Sequence, residues 1–150
     1  MSRAYPARPM VGLGVVLLRR QTVLLVRRAK PPGIGTWSLP GGAQELGETA
    51  EAGAQRELME ETGVTAGPLR LIAHVDSIHH DTAGRVQFHY TILDFAGAWM
   101  AGAATAGSDV SEVAWAQVED LAPYALTNEA VRVISLAVSS AHATEPHCGG

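Results

Sequence analysis

Glu57, Glu60 and Glu61 stand at i, i+3 and i+4 within a stretch, Gly41 to Val64, that gathers six carboxylates into twenty-four residues. On a helix this spacing brings the three side chains to one face, with Cβ atoms about 5–6 Å apart. Arg56, four residues before Glu60, can answer one of the three charges, and no Lys or Arg between Glu57 and Leu69 answers the others. A solvated acidic face is the plainer explanation for an arbitrary helix of this kind. A divalent cation is the chemical one: a hard ion such as Mg²⁺ binds carboxylate oxygens at about 2.0–2.1 Å and keeps positions for water and phosphate.

A helix must carry these acids, and the sequence predicts one from about Thr49 to Thr62. Ala50, Ala54 and Leu58 recur every four residues, and Gly63 stands where a left-handed C-cap belongs. Upstream, VGLGVVLL and TVLLV are short, β-branched and apolar on both faces, which predicts two buried central strands around an RRQ turn. RRAKPPGIGTWS is expected to be loop, and LPGG a sharp turn into the acidic segment.

Downstream, LRLIAHVDSI and VQFHYTILDF read as strands separated by an exposed HHDTAGR turn. AGAWMAGAATAGSDV reads as a flexible loop before a short strand, EVAWA. The last element, TNEAVRVISLAVSS, has Val131, Ile134 and Val138 at helical spacing, with Thr127 or Asn128 as N-cap. The order of elements predicts a mixed sheet with helices on its faces.

The 150 residues suit one domain. It is expected over 11–140, between an N-terminal arm at 1–10 and a disordered tail at 141–150. A net charge of −4 offers no surface for nucleic acid, so a polyanionic substrate needs a local cation. No apolar stretch approaches the roughly 20 residues of a membrane span. Cys148 is the only cysteine, which excludes an intramolecular disulfide and fits a reducing cytoplasm. His142 and His147 beside it make only a weak metal motif.

The acidic segment carries a longer pattern. Gly42, five residues, Glu48, seven residues, then Arg56, Glu57, Leu58, one residue, Glu60, Glu61, one residue, Gly63 and Val64 resembles the Nudix box with no position missing. GTWSLPGG before it and EVAW after it also resemble that family, over Val11 to about Val138. The resemblance implies an α/β/α sandwich with a loop-helix-loop motif that hydrolyses a nucleoside diphosphate linked to another moiety, X. It further implies Glu57, Glu60 and Glu61 as ligands of Mg²⁺ or Mn²⁺, the Gly41 carbonyl as another, Glu48 as a more distant or second-metal ligand, and Arg56 as the residue that orients the acids.

The general base is left among three acids. Asp109 is preferred, Glu112 follows, and Glu57 is the helix alternative. Arg27, Arg28 and Lys30 are candidate phosphate contacts or plain strand-end basics. Trp37 is a packing anchor or a base-stacking ring, and Tyr90 a cleft wall or core residue. His79 and His80 contact substrate or simply face solvent; Asn128 is a base-reading amide or the helix cap.

Similarity to the bacterial branch labelled ADP-ribose pyrophosphatase or nucleoside triphosphate diphosphatase implies a small nucleotide substrate. No membrane or nucleic-acid partner is expected, and monomer and homodimer both stay open. Two rival readings are a nucleotide-sensing module that does not cleave, and a capped-RNA hydrolase. Both lack support from a basic surface.

Overall fold

The computed structural model describes residues 3–144. Its frame is a mixed sheet built on β1 (Met10–Arg19), β2 (Thr22–Arg28), β3 (Trp37–Ser38), β4 (Gly41–Ala43), β5 (Thr65–Ala66), β6 (Arg70–His80), β7 (Val86–Ala101) and β8 (Val110–Gln117). The helices are α1 (Ala50–Thr62) and α2 (Asn128–Thr144), and a 3₁₀ turn, Ala122–Tyr124, precedes α2. β1 and β2 are central, as their apolar runs predict: Leu13, Val15, Val16 and Leu17 of β1 and Val23 to Val26 of β2 are buried.

β1 is the branch point. One edge runs parallel to β7, with Gly14 opposite Asp94. The other edge is shared, because Gly12 to Gly14 pair with Ala43 to Gly41 of β4, whereas Leu18 and Arg19 pair with Val23 and Thr22 of β2. β2 continues into β3 and β8, and β6 flanks β7.

Each face of the sheet is covered by one helix. Ala54 and Leu58 of α1 pack on Leu13, Val15, Leu24 and Phe95. Val133, Ile134 and Ala137 of α2 pack on Val16, Val23, Leu25 and Ala96. The alternation of β1 and β7 residues between these two cores follows from the period of two along a strand. The arrangement is the expected α/β/α sandwich.

Three expectations change. AGAWMA is not loop: β7 runs to Ala101, since β1 pairs with Gly97 and Ala98 and β5 pairs with Trp99 and Ala101. His79 and His80 are the last residues of β6, so the turn is confined to Asp81–Arg85. LPGG leads into the short strand β4 at Gly41.

The ends also differ in detail from the expected boundaries. Met10 already pairs with Tyr90. Within the N-terminal segment the Tyr5 hydroxyl donates to Asp81 at 2.8 Å. α2 continues to Thr144. His147 and Cys148 lie outside the described residues.

Candidate active site

α1 begins and ends where its sequence dictates. The Thr49 hydroxyl accepts from the Ala52 N–H at 3.1 Å, and Gly63 closes the helix in the left-handed region at φ 72°. Between these caps Glu57, Glu60 and Glu61 project from one face, and two neighbouring glycines make room for the acids. A Cβ on Gly42 would lie 2.4 Å from the Glu57 carboxyl carbon, and one on Gly53 would lie 2.6 Å from Glu48 Oε1.

Arg56 is the hub of this face. Its guanidinium holds Glu48 with two bonds, Nε to Oε2 at 3.0 Å and Nη2 to Oε1 at 2.7 Å. It also reaches Glu57 at 2.8 Å, Glu60 at 3.2 Å and the Ala43 carbonyl at 3.1 Å. One arginine therefore answers more of the acidic cluster than sequence spacing indicates. The paired bonds from Arg56, with a further bond from the Glu45 N–H, hold the Glu48 carboxyl down at about 2. Glu48 thus serves in this structure as the anchor of Arg56.

Glu61 is in the opposite condition. It accepts from the Gly41 N–H at 2.6 Å, which ties β4 to the helix. Burial pushes its carboxyl up to about 7; that N–H opposes the shift, and the charges of Glu57 and Asp109 add to it. Burial also raises Glu57, against the pull of Arg56.

The stretch after β7 is held against the end of α1. The N–H groups of Thr105, Gly107 and Ser108 donate to the carbonyls of Thr62, Glu61 and Glu60 at 3.0, 2.8 and 3.0 Å. These are carbonyls that a helix C-terminus leaves without intrahelical partners. The expected flexible loop is thus a strap, and it brings Asp109 close enough to Glu61 for the two charges to interact. Asp109 itself has φ 62° and pairs with Lys30 Nζ at 2.9 Å.

The antiparallel register of β2 and β8 sets Arg27 opposite Glu112, and their side chains pair at 3.1 Å. Both loop acids are therefore matched with a basic residue of the β2 end. Arg27 also donates to the Gly35 carbonyl, and Arg28 to that of Pro32.

The remaining candidates lie elsewhere. Trp37 packs edge-on against Tyr124 at 5.2 Å between centroids, within the α2-side core. Tyr90 lies on the same side of the sheet, against the bare Cα of Gly12. The Thr127 hydroxyl accepts from the Ala130 N–H at 3.2 Å and caps α2, which leaves the exposed Asn128 side chain outside that role. His79 and His80 are exposed at the end of β6. Asp94, a lone acid in the apolar run YTILDF and absent from the expected site residues, is buried in β7. Its signal was a charge where the strand pattern calls for a hydrophobe.

All the α1-face donors are hard carboxylate oxygens, which suits Mg²⁺ or Mn²⁺. Among the described residues no three acidic or imidazole side chains already converge at ligand distance. Glu57 and Glu60 turn to Arg56 and Glu61 to Gly41. A raised Glu61 beside two further acids is nevertheless a site where a cation lowers the energy.

A family model described as the NUDIX domain matches residues 8–137. The chain belongs to the Nudix family of hydrolases. It is 32% identical over 123 residues to an ADP-ribose pyrophosphatase of Methanocaldococcus jannaschii, which covers 82% of this chain and 70% of that one. It is 35% identical over 103 residues to a putative mutator protein MutT4 of Mycobacterium tuberculosis, covering 67% of this chain and 40% of the relative. Among solved structures, a MutT NUDIX hydrolase from Burkholderia pseudomallei matches with a TM-score of 0.74 at 27% identity, over 86% of this chain and 98% of the other. The NUDIX domain of Shewanella oneidensis NrtR, solved with ADP ribose, matches with a TM-score of 0.74 at 24% identity over 91% and 90% of the two chains, a likeness of fold. No helix of the described residues is long and apolar enough to cross a membrane.

Proposed function

We propose that this Nudix hydrolase opens the pyrophosphate linkage of a nucleoside diphosphate joined to a group X, releasing a nucleoside monophosphate and phosphorylated X. The substrate is a nucleoside triphosphate or an ADP-ribose-like compound. The observation that carries this reading is Glu61, held by the Gly41 N–H at 2.6 Å and pushed up to about 7 by burial and by the charges of Glu57 and Asp109. A perturbed acid of this kind, in a cluster of carboxylates, is a signature of a functional site.

Glu57, Glu60, Glu61 and the Gly41 carbonyl would hold Mg²⁺ or Mn²⁺, which would supply positive charge to the transferring phosphoryl oxygens. Arg56 fixes Glu57 and Glu60 in position and is itself fixed by Glu48. Arg27, Arg28 and Lys30 stand at the β2 end to receive phosphate. Asp109 takes the proton of the attacking water, and phosphate on Lys30 frees it from its ion pair. Glu112 stays paired with Arg27. An intracellular nucleotide substrate and the single cysteine support a cytoplasmic enzyme.

A panel of nucleoside triphosphates, ADP-ribose, dinucleoside polyphosphates and nucleotide sugars, followed by phosphorus NMR with and without Mg²⁺, tests this reading. Metal-dependent release of a nucleoside monophosphate from at least one class is expected. Tight binding of a nucleotide without any cleavage would favour a sensing module instead.

A further inference from the structure

β6 is the longest strand at an edge of the sheet. It pairs with β7 along one side, and its other side faces no strand among the described residues. Such an edge presents a row of unpaired backbone N–H and C=O groups, and proteins that stay single blunt it with lysine, proline or a very short strand. RLIAHVDSIHH contains no lysine or proline and runs for 11 residues. Its register shifts lie near the two ends, between Leu71 and Ala73 and between His79 and His80, so the stretch from Ala73 to His79 is regular.

The side chains of β6 form an ordered row on the α1 face of the sheet. Ile72, Ala73 and Val75 pack toward the α2 core. His74 stands opposite Leu93, which packs on the α1 core, so His74, Asp76 and Ile78 share the α1 face by alternation. The bulge returns Leu71, opposite Phe95, to that same face. Along it the row reads Leu71, His74, Asp76, Ile78. Leu71 is 56% and Ile78 46% exposed. His74 Nε2 lies 3.9 Å from Asp76 Oδ2, beyond hydrogen-bonding distance, and both side chains are largely exposed.

This row is complementary to itself read backwards. Residues directly opposite in an antiparallel pair share a face and interact. Two β6 strands paired about Val75 set His74 against Asp76 of the second copy and Asp76 against its His74. At either end Ile78 meets Leu71 of the other copy, which covers both exposed apolar side chains. An imidazole N–H donates to the carboxylate in either protonation state of the ring. Pairing centred on Asp76 would instead oppose two carboxylates, which is unfavourable. The other long edge, β8, carries a single charge, Glu112, already paired with Arg27, so two copies of it have no opposite charges to match.

We propose that β6 is an interaction surface for a second copy of this chain, the two β6 edges pairing antiparallel about Val75 and joining the two sheets into one. The contact is isologous, each copy giving and receiving the same pairs. It leaves both α1 acid clusters on one side of the joined sheet.

Sedimentation velocity over a range of protein concentrations, with circular dichroism to verify folding, tests this pairing. The wild type is expected to dimerise. His74→Asp sets an acid against Asp76 of the second copy at two symmetric places and is expected to weaken the dimer by at least about 10-fold. Ile78→Lys sets a charge against Leu71 of the second copy and is expected to weaken it likewise. Both positions are exposed, where substitutions leave the fold largely unaffected.

The double exchange His74→Asp/Asp76→His restores opposite charges at both places and is expected to recover the dimer. A wild type that stays monomeric overturns the inference. So does a dimer that His74→Asp or Ile78→Lys leaves intact, or a folded double exchange that dimerises no better than His74→Asp.

Discussion

The backbone N–H of Gly107 donates to the carbonyl of Glu61 at 2.8 Å, which joins the segment carrying Asp109 to the last turn of the helix carrying the acidic cluster. Adjacent bonds from Thr105 and Ser108 make the junction continuous. In the proposed mechanism this attachment keeps Asp109 in fixed geometry relative to the acids of α1.

Gly107 is tightly enclosed, because a Cβ there would lie 2.0 Å from the Glu60 carbonyl oxygen. That obstacle is backbone and cannot rotate away. Gly107→Ala is expected to destabilise the fold by about 1–3 kcal/mol, as overpacking does, and to lower kcat by displacing Asp109. Urea unfolding and steady-state kinetics measure both, and a variant as stable as wild type would show that the strap yields freely.

Asp109→Asn is expected to lower kcat by about 10²–10⁴, the usual contribution of a general base, with Mg²⁺ affinity unchanged. Glu112→Gln, which removes only the partner of Arg27, is expected to be mild. A mild Asp109→Asn beside a severe Glu112→Gln would move the role three residues along the chain. If Glu57 is the base, neither loop change matters much, and Glu57→Gln damages rate and metal affinity together.

Glu48 is held at about 2 by Arg56, below its ordinary value near 4.5. The unfolded chain therefore takes up this proton first as pH falls, and the stability Glu48 contributes is complete above about pH 5 and lost between there and about pH 2. Melting curves of Glu48→Gln against wild type are expected to differ most at neutral pH and to converge at the acid end. A constant gap across that range would show that the loss is packing alone.

Much of this site was legible before the structure. Thr49 and Gly63 bound α1 in the sequence as they do in the fold, since cap chemistry is local. Contacts made by strand pairing were not: Arg27 meets Glu112 and Lys30 meets Asp109 only because β2 and β8 lie side by side. The small residues of the AGAWMA run have weak strand preference and read as loop, yet pairing partners on both sides draw it into β7. Gly97 fits there because a Cβ would lie 2.7 Å from Leu69 Cδ2.

Glu61 makes the effect of metal depend on pH. Its carboxyl is raised to about 7 in the folded protein, so the native state holds that proton more tightly than the unfolded chain. Its contribution to metal-free stability is greatest below about pH 4.5 and is lost as pH rises through 7. Mg²⁺ needs the ionised form, so the rise in Tm on adding Mg²⁺ is expected to be larger at pH 8 than at pH 5.5, and to vanish in the Glu57/Glu60/Glu61 triple glutamine variant. An equal rise at both pH values, or in the triple variant, would place the ion elsewhere.

In the proposed mechanism the α1 acids hold the metal on which pyrophosphate cleavage depends. The most direct measurement is kcat of folded Glu60→Gln on the best substrate at saturating Mg²⁺, because that change keeps size and removes only charge. A fall of at least about 10² is expected from lost electrostatic stabilisation; turnover near the wild-type rate would contradict the assignment.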